Sequence, residues 1–120
     1  IGIIFNLDPH YKQGSHWISM FIDIKKKFVF FFDSNGDKIP GRIKKLVTRV
    51  QKQARAIGFE LNFYQNHPKE HQKGNTECGI YSLYLIIQML TDKKKPDYYM
   101  NHRISDEEME RLRKKYFNFI

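Results

Sequence analysis

Apolar residues enter this chain in short blocks, and the period inside each block changes from one segment to the next. Residues 1–7, Ile-Gly-Ile-Ile-Phe-Asn-Leu, are apolar with little alternation and predict a buried strand. Residues 8–15 contain Pro9 and Gly14 and predict a loop. From His16 both alternating sets are largely apolar, Trp17 and Phe21 on one and Ile18, Met20 and Ile22 on the other. This strand should therefore be buried on both faces. A polar turn at 23–27 returns it into Phe28-Val-Phe-Phe-Phe32, so 16–32 predicts a hairpin. Asp33-Ser-Asn-Gly36 is turn chemistry.

The period then becomes helical. Ile43, Leu46, Val47, Val50, Ala54 and Ile57 share one face, Pro40 fits the first turn and Gly58 the end. Residues 59–64 predict a third core strand and 67–77 a polar loop. Residues 78–90 are apolar on most sides, which predicts a central helix. A lysine- and proline-containing connector leads to Ser105-Asp-Glu-Glu108, a capping box, and a last helix with Met109, Leu112 and Tyr116 as its buried stripe. The expected class is α+β, with an antiparallel hairpin and further strands packed against a central helix.

Composition narrows this picture. A length of 120 residues predicts one domain over residues 1–120. Ten Phe and seven Tyr predict an aromatic core and argue against disorder. The apolar stretch from Ile80 to Leu90 is too short and too polar to span a bilayer, so no membrane contact is expected. The chain opens without a basic n-region and without Met, which predicts that it starts inside a longer protein and lacks an upstream region. A single cysteine excludes an internal disulfide and fits a reducing compartment. The net charge of +8 gathers at 25–27, 44–45, 93–95 and 111–115. Such clusters are ordinarily solvated faces, and no nucleic-acid module accompanies them, so the charge supports an accessory polyanion contact at most.

The single cysteine carries the chemistry. Cys78 opens the central helix, where the dipole and free N–H groups favour a thiolate. Glu77 adds a like charge beside it, so an imidazolium partner is needed, and His16 at the start of a strand can supply one. Asp33 ends the paired strand of the same hairpin, where its carboxylate can fix the imidazole's tautomer. The N–H of Cys78 and the side-chain amide of Gln72, six residues earlier, are candidate oxyanion donors. Asn35 is a competing third member, although Asp33 holds the strand-end position. His67 and His71 lie four apart, but Pro68 opposes a helical pair and further zinc ligands are not evident, so no metal is expected.

The set His16-Trp17, Asp33-Ser34, Gln72 and Cys78-Gly79, in that order, resembles the cysteine proteases of the adenain and SUMO-protease group (clan CE), over roughly residues 1–90. Thr76-Glu-Cys-Gly-Ile-Tyr-Ser-Leu-Tyr84 and the helix led by Pro40 are most similar to the polyprotein-processing proteases of large DNA viruses such as African swine fever virus. The resemblance implies a papain-like, adenain-type core, in which the nucleophile's helix packs on a small mixed or antiparallel sheet. It implies Cys78 as nucleophile, His16 as general base, Asp33 as its orienter, Gln72 with Cys78 as oxyanion hole and Trp17 as a wall of the substrate channel. The implied activity is hydrolysis after Gly-Gly in viral structural polyproteins, without a cofactor, in the host cytoplasm at the viral factory and in the virion. SUMO deconjugation is the second expectation, and acetyl transfer or an inactive binding module of the same fold the third.

Overall fold

The computed structural model describes residues 1–7, 16–74, 77–91 and 94–117; the expected loop at 8–15 lies outside them. Strands β1 (Gly2–Leu7), β2 (His16–Asp23), β3 (Phe28–Phe32) and β4 (Asn62–Gln65) form one sheet in the order β1-β2-β3-β4. The first three are antiparallel neighbours, and β4 runs parallel to β3. A parallel neighbour needs a crossover, which helix α1 (Gly41–Ala56) supplies. Helices α2 (Cys78–Leu90), α3 (Pro96–Asn101) and α4 (Asp106–Phe117) follow. None of the described helices is long and apolar enough to cross a membrane.

The two sides of the sheet are closed differently. On one, Ile18, Met20, Ile22, Val29 and Phe31 meet Ile43, Val47 and Ala54 of α1. On the other, Phe21, Phe28, Phe30 and Phe32 meet Tyr81, Leu85 and Met89 of α2, Tyr99 of α3 and Met109 of α4. Alternation along β3 delivers one set to each side, and all five of its residues are buried. The expected burial of 16–22 on both faces holds from Ile18 to Ile22.

Several expectations need correction. Pro40 is the N-cap of α1, with extended backbone, rather than a residue of its first turn; its carbonyl accepts from Ile43 and Lys44. The third predicted strand is shorter and lies at the sheet edge, half exposed, because Leu61 turns into the α1 core before pairing begins. The connector before Ser105 contains α3, which Pro96 opens and buried Tyr99 anchors. The capping box at Ser105 forms one of its two bonds: Glu108 N donates to Ser105 Oγ at 3.2 Å.

Candidate active site

The hairpin of β2 and β3 sets the first two groups. Its register pairs Ser19 with Phe32, so continuation towards the open end brings His16 diagonally across from Asp33 on one face. There His16 Nε2 lies 2.8 Å from Asp33 Oδ1. Asp33 is buried and held on every side: Asn66 Oδ1 accepts from its N–H at 2.8 Å, and Asn66 Nδ2 donates to its carbonyl. Asn35 N also donates to Asp33 Oδ1. Asn35 Nδ2 stands 3.5 Å from the same imidazole nitrogen. Because that nitrogen's proton points to the carboxylate, it cannot also accept from Asn35, and Asp33 is the orienting partner in this geometry. Hydrogen bonding to Asp33 raises the His16 pKa to about 9 despite partial burial, with Cys78 adding in the same direction.

The third group arrives from the other side. Cys78 is the first residue of α2, and its side chain is buried. Trp17 N donates to Cys78 Sγ at 3.4 Å, which ties the helix start to β2 beside His16. With Nε2 committed to Asp33, Nδ1 is the imidazole nitrogen left for a thiol. Trp17 is 38% exposed, and a Cβ placed on Gly79 would sit 3.8 Å from its ring. Trp17 and Gly79 are therefore near neighbours, each next in the chain to a residue of the site.

Gln72 is buried, contrary to a loop that was expected to be merely polar. Ser34 carbonyl accepts from the N–H of His71 and of Gln72, and Ser34 Oγ donates to Gln72 Oε1 at 2.7 Å. The carbonyl end of the amide is thereby pinned, and Nε2 is its donating end. His71 is a structural residue instead of a metal ligand. It is fully buried, its Nδ1 accepts from Ile104 N at 2.8 Å, and its Nε2 donates to Tyr99 carbonyl at 2.7 Å. Burial lowers its pKa, consistent with a neutral ring. His67 turns elsewhere, to Gly36 carbonyl, and the described residues hold no cluster of three metal-ligating side chains. Asn66 and the Arg113 that meets Glu77 at 2.9 Å were not singled out from sequence, and Ser34 was singled out only as the residue after Asp33, since nothing local signals such distant partners.

A buried carboxylate, an imidazole of raised pKa and a thiol at a helix start are the parts of nucleophilic acyl transfer. Comparison with known proteins agrees. The model of the Ulp1 protease family, C-terminal catalytic domain (Peptidase_C48), matches residues 1–119. Protein R355 of Acanthamoeba polyphaga mimivirus, which carries a thiol-protease name, is 33% identical over 98% of this chain and 38% of its own length. The SUMO-1 cysteine protease S273R of African swine fever virus is 32% identical over 93% of this chain and 41% of its own. A crystal structure of the African swine fever virus pS273R protease superposes with a TM-score of 0.85 at 32% identity, covering 93% of this chain and 42% of that one. The yeast Ulp1 domain in complex with Smt3 shares the fold at a TM-score of 0.60 and 19% identity, over 93% of this chain and 48% of that one. The chain thus spans about two fifths of the length of the curated relatives it matches. It belongs to the Ulp1 protease family of cysteine peptidases.

Proposed function

We propose that this domain is the catalytic core of a viral cysteine endopeptidase that cleaves after Gly-Gly in structural polyproteins, with Cys78, His16 and Asp33 as its triad. The observation that carries this reading is His16, bonded through Nε2 to buried Asp33, with its neighbour Trp17 donating N–H to Cys78 Sγ. In the reaction the thiol proton passes to His16, and the thiolate attacks the scissile carbonyl carbon. The oxyanion meets the N–H of Cys78 and Nε2 of Gln72, a reading supported by the bond that holds the other end of the Gln72 amide. The His16 imidazolium gives its proton to the leaving amine, which departs and leaves a thioester. Water, deprotonated by the now neutral His16, hydrolyses that thioester and restores the thiol. Identity above 30% to viral proteases supports a viral cysteine peptidase, and action in the host cytoplasm and the virion is part of the proposal.

Deconjugation of a SUMO-like modifier is the second reading, favoured by the SUMO-1 name of the African swine fever virus relatives and by the Ulp1 fold. Peptides of the form Gly-Gly-Xaa and a SUMO C-terminal fusion, tested side by side, separate the two. Peptide cleavage that vanishes in Cys78→Ala while the fusion stays intact supports the endopeptidase. Preference for the fusion supports deconjugation. Cleavage retained in Cys78→Ala overturns both.

A further inference from the structure

The segment that carries Gln72 and leads to the nucleophile is held from outside the triad. Asp106, at the first position of α4, accepts from Lys73 N and from Gly74 N, both at 3.0 Å to Oδ2. Its other oxygen faces Tyr81 Oη at 3.0 Å, and Tyr81 is the buried fourth residue of the nucleophile's own helix. The single Tyr81 proton is shared among Asp106, Ile104 carbonyl at 2.7 Å and His71 carbonyl at 3.2 Å. Arg103 Nε donates to His71 carbonyl at 2.8 Å. Burial works against the Asp106 charge, but the Gly74 and Lys73 amides outweigh it and keep the carboxyl below its usual range. Two turns further along α4, Arg113 meets Glu77 at 2.9 Å. Glu77 is buried and directly precedes the nucleophile. One helix therefore grips residues 73–74 beside Gln72 with a carboxylate and residue 77 beside Cys78 with a guanidinium.

We infer that α4 is the positioning element of the nucleophile segment, with Asp106 setting the oxyanion donors and Arg113 pairing the Glu77 charge that directly precedes Cys78 in the chain. This rests on the cysteine-peptidase reading above, and neither residue touches substrate. A carboxylate that caps two consecutive amides fixes the loop they belong to more tightly than one bond would. An uncancelled negative charge next to a thiol disfavours the thiolate.

Two measurements test the inference. The first is the alkylation of Cys78 by iodoacetamide at pH 6.5, which needs no substrate. Arg113→Gln should slow it about tenfold, and adding Glu77→Gln should restore it, because the charge to be cancelled is then gone. An unchanged rate in Arg113→Gln, or no recovery in the double variant, overturns the Arg113 role. The second is peptide hydrolysis by Asp106→Ala and Asp106→Asn. A fall of about 30-fold or more in kcat with KM within twofold, at unaltered near-UV circular dichroism, is expected for displaced oxyanion donors. Equal loss through KM, or wild-type kcat, overturns the Asp106 role, and Asp106→Asn carries the test if Asp106→Ala does not fold. Wild-type protein that neither cleaves nor alkylates faster than a free cysteine would overturn the peptidase reading itself.

Discussion

The two sides of the sheet do different work. The fully buried residues on the α1 side are aliphatic apart from Phe31, and one helix closes them. The α2 side is aromatic, closed by three helices, and interleaved with His71, Tyr81 and Asp106. Phe32 shows the mixture, its ring 5.1 Å from that of His71 and 6.5 Å from that of Tyr81. Shape alone suffices on the first side. On the second, packing also aims polar groups at the site, so a packing error there should appear in catalysis as well as in stability.

The strongest test of this contrast is Phe32→Ala. It should cost about 4 kcal/mol in denaturant unfolding and also lower kcat in whatever protein remains folded. A stability loss with unchanged kcat would make the two sides equivalent. Asp33→Asn probes the junction where both sides meet. The His16 pKa lies above the unfolded value of 6.5, so its ionic contribution is complete below that pH and lost as pH rises through about 9. The alkaline limb of the rate profile should accordingly fall near 9 in the wild type and move down towards 6.5 in the variant, and an unmoved limb would remove Asp33 from its role. Val47→Ala, on the aliphatic side, should cost about 2 kcal/mol and leave kcat as it was. Ser19→Ala is the mildest. Ser19 is fully buried, and its Oγ has no hydrogen-bond partner among the described residues, so the change should be neutral or stabilising by about 1 kcal/mol in thermal unfolding.

Legibility in the sequence followed the range of the interactions. The bounds of β2, β3 and α2 could be read because each rests on its own apolar period. Helix α3 could not, since six residues are too few for a period and burial of Tyr99 against Phe30 and Phe32 holds it. The segment around His71 looked like an ordinary polar loop because its partners, Ser34, Tyr99 and Ile104, lie about 30 residues or more away in the chain. The residues of the site were legible as a set only through their order and spacing. The strand-end position of Asp33 predicts it over Asn35, and the distances to His16 Nε2, 2.8 Å against 3.5 Å, point the same way.

The hairpin that joins His16 to Asp33 has one more consequence. Its register is set at the far turn, where Asp23 Oδ1 caps Lys26 N and Lys27 adopts a positive φ of 62°. That turn lies about 23 Å along β2 from the imidazole. Strand side chains alternate strictly, so one residue gained or lost there would carry His16 to the opposite face from Asp33 with neither residue altered. The chemistry of this domain is therefore written partly in the length of a lysine-rich turn at the opposite edge of the molecule, where a change by insertion would matter far more than a change of residue.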